Sequence, residues 1–269
     1  MSIRVSFAGE TEPTANRGPI LFAMGFRPFF LGVGLYGALA LALWVASYAG
    51  LLPLTSLWHG HEMVFGFAMA IVAGTLLTAL PTWAGTQETR GARLALLVVL
   101  WLLGRAAGLA SSALPVLPWN AVAMADAALP LAMLLLLAPQ LARLPQRRWR
   151  MVLVVLAAFT VADFAWHAAF VAGDTGAATR TLRAALWVMV MLYTLAGGLF
   201  TPVFTANVLA ERGLPALPPR RWLLEAATVL LTLAAAVCMS RKIGLSPGPR
   251  PYCNQLPGWP SPAWMMASM

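Results

Sequence analysis

The sequence contains little charge and few residues that bind metals or form disulfides. Only 10% of its 269 residues are charged, and only two are cysteines. Cys238 and Cys253 both lie near the end of the chain and show no metal-like spacing. Histidine is also scarce, since it occurs only at positions 59, 61 and 167. These shortages exclude a disulfide framework and a CxxC site.

The charge that is present is basic and comes almost entirely from arginine. The formal net charge is +9, and Lys242 is the only lysine. In a soluble protein this balance would suggest nucleic-acid binding. Here the arginines fall between apolar runs, where they set the orientation of a membrane protein. We therefore expect these arginines to orient the chain in a lipid bilayer, and we expect no nucleic acid as a partner.

Long apolar runs are abundant, and 60% of the residues are hydrophobic. Several runs exceed the roughly 18 uncharged apolar residues that mark a membrane-spanning helix. We predict six spans and a weaker seventh, at 29–49, 61–83, 94–113, 120–141, 151–172, 184–204 and 223–239. Because a span in lipid must satisfy its backbone internally, these segments are helices. The predicted fold is an all-α integral membrane protein, a polytopic bundle of six to seven transmembrane helices.

The arginines also predict the orientation and the division of the chain. They concentrate in the N-terminal segment and in the second, fourth and sixth loops, whereas the first and third loops have none. The N-terminus is therefore predicted to be cytoplasmic. We expect a cytoplasmic segment at 1–28 and a transmembrane domain at 29–240. Residues 241–269 are expected to form an irregular, proline-rich tail that a truncated or frame-shifted gene would explain.

This orientation places the polar residues of the spans in the outer half of the membrane. They are His59, His61, Glu62, Arg105, Asp126, Asp163 and His167. At ~1.5 Å per residue, Asp163 and His167 lie about 13 Å and 7 Å below the outer boundary. A charged side chain at such depth costs a few kcal/mol, so it usually faces the bundle interior and marks a functional site. The sequence thus predicts a polar site near the outer face.

The residue types at this site are those that bind transition metals. Asp163 and His167 are four residues apart and share a helix face, so the carboxylate can fix the tautomer of the imidazole. His59 and Met63 share a face if the helix has begun by then, whereas His61 points roughly the opposite way. Imidazole suits copper and iron, thioether suits Cu(I), and haem iron takes histidine or methionine ligands.

Simpler interpretations remain open for the same residues. His59 and His61 are also explained as an interfacial pair that caps the helix and contacts lipid headgroups. Asp163 and Arg105 are also explained as a structural ion pair, and Met63 as a packing residue. A different class of function is a transporter of a small solute or protons, with a polar path lined by Arg105, Asp126, Asp163 and His167.

Three stretches resemble a known family. They are GFRPFFL at 25–31, LWHGHEMVFGFAMAIVAGTLLTALPTWAG at 57–85 and GGLFTPVFTANVL at 197–209, and they are similar to the NnrS family. The resemblance implies a bacterial inner-membrane protein that contains haem and copper and acts in the response to nitric oxide and nitrosative stress. It implies nitric oxide or iron-nitrosyl species as partners, but no defined enzymatic reaction.

The resemblance also bears on individual residues. It implies that His59, His61 and His167 bind the haem or copper. Leu199 and Thr82 stand where the family usually has arginine and asparagine. Because family members generally have about twelve helices, we expect this chain to be a C-terminally truncated member. A non-functional truncated fragment, a homo-oligomer and a chain complemented by a second half are alternatives that stay open.

Overall fold

The computed structural model describes residues 19–113, 117–144 and 147–215, with scattered positions between 227 and 238. These residues form helices and no strand. The helices are α1 (Phe26–Tyr48), α2 (Ser56–His61), α3 (Met69–Ala84), α4 (Gly91–Ala113), α5 (Trp119–Asp126), α6 (Ala128–Leu141), α7 (Arg147–Val171) and α8 (Thr175–Glu211). A 3₁₀ turn at Ile20–Ala23 precedes α1, and a π-helical segment at Glu62–Ala68 joins α2 to α3.

The membrane spans follow from these helices. Five are long and apolar enough to cross a bilayer, and there are six if the bent pair α5 and α6 counts as one span. One of the five is the continuous helix Ser56–Ala84, which contains α2, the π-helical segment and α3. The all-α, multi-pass membrane fold is therefore confirmed. The predicted seventh span at 223–239 lies largely outside the described residues.

The predicted span at 120–141 is broken rather than continuous. Helices α5 and α6 meet at Ala127 with a bend of 45°. Pro130 lacks an N–H and cannot donate to the carbonyl of Asp126, so an α-helix cannot run through unchanged. Helix α6 restarts with Pro130 in its first turn, where no intrahelical donor is needed. The break leaves Asp126 as the last residue of α5, pointing into the bundle.

The apolar core lies around α3. Helix α3 packs against α1 and α6, α4 against α5 and α6, and α7 against α6 and α8. The largest fully buried apolar side chains of this core are Phe29, Met69, Leu80, Leu94, Leu129, Met133, Leu141, Leu156 and Phe159. Large apolar side chains on the outer faces of α1, α4 and α8 are exposed, as expected for a surface covered by lipid.

Candidate metal centre

The π-helical segment positions the first two residues of the site. Helix α2 starts after Thr55, whose hydroxyl accepts a hydrogen bond from the backbone N–H of Trp58 at 3.1 Å. The backbone then widens into the π-helix at Glu62, a feature often found at functional sites. His61 and Glu62 are consecutive, yet both are buried, with 2% and 1% of their surface exposed. Both therefore lie inside the bundle.

Four side chains converge on one point, and we call them the His–Asp cluster: His61, Asp126, Asp163 and His167. Each offers one ligand atom, and these atoms all lie within 4.8 Å of one another. His61 Nε2 lies 3.0 Å from Asp163 Oδ1 and 3.3 Å from Asp126 Oδ2. His167 Nε2 lies 3.1 Å from Asp126 Oδ2 and 3.6 Å from Asp163 Oδ1. The cluster joins three separate elements, α2, α5 and α7.

Arg105 connects this cluster to a second acidic group. One of its terminal nitrogens, Nη1, lies 2.5 Å from Glu62 Oε2, and the other contacts Asp126 Oδ1. The hydroxyl of Tyr36 also donates to Glu62 Oε2. Arg105 therefore pairs with two carboxylates at once, one outside the cluster and one inside it.

Two glycines make room for this ion-pair network. A Cβ at Gly66 would lie 2.5 Å from Arg105 Nη1 and 2.7 Å from Glu62 Oε2. A Cβ at Gly104 would lie 2.9 Å from the carbonyl oxygen of Ala125, on the turn that carries Asp126. Side chains at these positions would push the charged groups apart.

Aromatic rings enclose the cluster. The centroid of the His61 ring lies 4.0 Å from that of Trp166, 4.9 Å from Phe65 and 5.1 Å from His167. The four cluster residues are at most 6% exposed. Because the effective dielectric constant of such a buried site is lower than that of water, charge interactions there are stronger. The rings of Trp166, Phe65 and His167 thus surround the His61 imidazole.

The structure brings six of the eight candidate residues together: His61, Glu62, Arg105, Asp126, Asp163 and His167. His59 lies elsewhere, with its ring stacked on Trp44 at 4.7 Å between centroids. Met63 is half-buried, between two buried neighbours. Their roles as metal ligands stay predictions.

Two pairings differ from those expected. Arg105 pairs with Glu62 and Asp126 rather than with Asp163, because α4 packs closely on α5 and on the π-helical segment. Asp163 lies nearer to the imidazole of His61, at 3.0 Å, than to that of His167, at 3.6 Å. The contact between helices is therefore shorter than the one within α7.

Tyr36 is the member of the network that sequence reasoning missed. It lies near the middle of α1, where its hydroxyl is the polar group of an otherwise apolar stretch. That isolated position was the available signal. Its partner Glu62 is 26 residues away, so the contact depends on the packing of α1 against the π-helical segment.

The comparisons with known proteins agree with this picture. The family model of the NnrS protein matches residues 20–266, which is most of the chain. No curated protein and no solved structure matches it. The family is associated with the nitric oxide response and binds metals, and the helices are those of a multi-pass membrane protein. With its buried His–Asp cluster inside such a bundle, the chain belongs to the NnrS family.

Proposed function

We propose that this chain is a metalloprotein of the nitric oxide response in the bacterial inner membrane, with its metal ion in the His–Asp cluster near the outer face. The observation that carries the proposal is the convergence of four buried ligand atoms within 4.8 Å of one another. They come from three elements that are distant in sequence. Such a convergence inside an apolar bundle is costly and needs a compensating partner.

The donor set fits a transition-metal ion. Two imidazoles and two carboxylates suit copper, iron or zinc. Asp163 also has a second oxygen, Oδ2, that is buried and makes no hydrogen bond within the described part of the chain. A buried carboxylate oxygen without a donor is costly, and a bound cation would remove that cost. We therefore propose that copper, the metal that the resemblance implies, would be held by His61, Asp126, Asp163 and His167.

Haem requires a different place. His61 Nε2 faces Asp163 Oδ1 at 3.0 Å and Asp126 Oδ2 at 3.3 Å, so this nitrogen is directed into the cluster rather than toward a haem. His59 is the remaining histidine, and its Nδ1 is buried without a hydrogen bond to any described residue. We therefore propose His59 as the residue that would hold haem, separate from the copper site.

The enclosure of the cluster favours a gas over a polar solute. Nitric oxide is small and uncharged, dissolves in the bilayer and can pass between apolar side chains, whereas a hydrated solute cannot. A metal bound in the cluster would supply a coordination site for nitric oxide. The chain's own residues hold the ion, exclude water through Trp166 and Phe65, and place the Arg105 guanidinium beside it. In the transporter alternative, the solute would have to pass residues that are at most 6% exposed in the described part of the chain.

The test is a metal analysis and an optical spectrum of the detergent-purified chain and two single variants. We expect copper in the wild type, its loss in His61→Ala and its retention in His59→Ala. A haem band should follow the opposite pattern, lost in His59→Ala alone. Copper retained in His61→Ala would contradict the proposed site. Flux of protons or a solute through metal-free protein in proteoliposomes would instead support a transporter.

A further inference from the structure

The charges around the His–Asp cluster do not balance. Three buried carboxylates, Glu62, Asp126 and Asp163, face one buried guanidinium, Arg105, and each of the four is at most 6% exposed. Imidazoles bind metals as neutral groups. Three negative charges and one positive charge therefore leave a formal charge of −2 in the bundle interior.

Arg105 decides where this charge lies. It takes Glu62 and the Oδ1 oxygen of Asp126, which leaves Asp126 Oδ2 facing the two histidines. No ion pair joins Arg105 to Asp163 among the described residues, and Asp163 Oδ1 also faces both histidines. The uncompensated charge thus lies on Asp126 and Asp163, the two carboxylates that would contact a metal.

From this geometry we infer that the His–Asp cluster is built for a divalent cation and against Cu(I), with Arg105 as the positioning residue that sets this preference. The inference rests on the proposed function and specifies the charge class of its metal. A dication brings the site to neutrality, whereas a monovalent ion leaves a buried negative charge. Carboxylates are also poor ligands for the soft Cu(I), which prefers thiolate and thioether.

Gly66 supports the role of Arg105. A Cβ there would overlap Arg105 Nη1 at 2.5 Å, while the Gly66 carbonyl accepts a hydrogen bond from Trp101 Nε1 at 2.9 Å. The backbone of residue 66 is therefore held in place and cannot retreat easily from a new side chain. Only glycine at this position lets the guanidinium reach both Glu62 and Asp126.

The first test compares cations on the full chain, purified in detergent and stripped of metal with a chelator. The probes are Cu(II), Zn(II) and silver(I), the last having the charge and ligand preferences of Cu(I) without its sensitivity to air. We expect Zn(II) and Cu(II) to bind at least about 100-fold more tightly than silver(I), equivalent to about 2.7 kcal/mol. Binding of both dications should be lost in His61→Ala.

The two possible failures can be told apart. Silver(I) binding as tightly as Zn(II), and lost in His61→Ala, would overturn the inference but leave a metal site in the cluster. Dications that bind equally well to wild type and His61→Ala would overturn the proposed function itself. Dications that bind well only through the cluster support both.

The second test examines Arg105 through the charge preference of the site. Arg105→Gln makes the formal charge more negative, from −2 to −3, so the affinity for terbium(III) should rise relative to that for manganese(II) by about tenfold or more. Arg105→Lys keeps the charge and should keep the wild-type ratio. Terbium binding can be followed by luminescence excited through Trp166, whose ring lies 4.0 Å from that of His61.

The ratio of the terbium(III) and manganese(II) affinities distinguishes a positioning role of Arg105 from mere support of the fold. A general loss of structure would weaken the binding of both ions together. An unchanged ratio in folded Arg105→Gln would overturn the role of Arg105. If Arg105→Gln does not fold, Gly66→Ala displaces the guanidinium without removing it, and the same ratio should then move toward terbium(III). A wild-type ratio in Gly66→Ala would in that case count against the inference.

Discussion

The two parts of the span Ser56–Ala84 are stabilised by different physics. Before Met69 the buried residues include His61 and Glu62, and the backbone changes from α-helical to π-helical at Glu62. After Met69 the buried residues are apolar or glycine, and the helix is regular up to Gly85. The stability of the first part depends on ion pairs with other helices, whereas that of the second depends on close apolar packing. One continuous helix therefore contains both the candidate site and the packing that holds it.

This difference has an energetic consequence. A buried charge is tolerated only while its partner is present, so removing one partner exposes the full cost of burying the other. Removing an apolar side chain costs the lost packing contacts and the cavity that remains. The polar part should thus be the more sensitive to single substitutions. Three stability measurements test the comparison.

The largest effect is expected for Arg105→Met. This change leaves Glu62 and Asp126 buried without their cation, and we expect a loss of about 3–5 kcal/mol in the free energy of unfolding. The control is Arg143→Met, because Arg143 is exposed at the far end of α6 and its loss should change stability by less than about 0.5 kcal/mol. Denaturant unfolding in detergent, followed by circular dichroism, measures both. Equal stability of the two variants would show that the ion pairs contribute little.

A smaller effect is expected in the apolar part for Leu80→Ala. Leu80 is 2% exposed in the core around α3, and its truncation should cost about 2–3 kcal/mol. Leu135→Ala removes the same atoms from a side chain that is 68% exposed toward lipid, and should cost much less. The same unfolding experiment applies. If Leu80→Ala were as costly as Arg105→Met, the polar part would not be the more sensitive one.

The smallest effect is expected for a single added methyl group. Gly66→Ala should destabilise the protein by about 1–2 kcal/mol, because its Cβ meets Arg105 and Glu62 in a closely packed site. Gly34→Ala, on α1 with no atom within 4 Å of the new Cβ, should stabilise the protein by up to about 1 kcal/mol through helix propensity. Melting temperatures of the two variants should shift in opposite directions. A shift in the same direction would remove the argument for a steric gap at Gly66.

Much of the fold was predictable from local signals. Apolar runs such as 94–113 locate helices because lipid leaves no other way to satisfy the backbone. The isolated charges Arg105, Asp126 and Asp163 were expected to face inward because their exposure to lipid is costly. The position of the break at Ala127 was harder to predict. Pro130 indicates that the helix is kinked nearby, but the last residue of α5 depends on how α5 packs.

The sequence by itself determined that this chain is an all-α membrane protein and that its few polar residues gather in one region, because hydropathy and charge cost act on each segment separately. Only the tertiary structure decided which of them meet. It separated His61 from His59, assigned Arg105 to Glu62 and Asp126, and brought in Tyr36. These contacts join residues on different helices, so they depend on how the helices pack and on the π-helical turn that aims them. No periodicity within one segment contains that information.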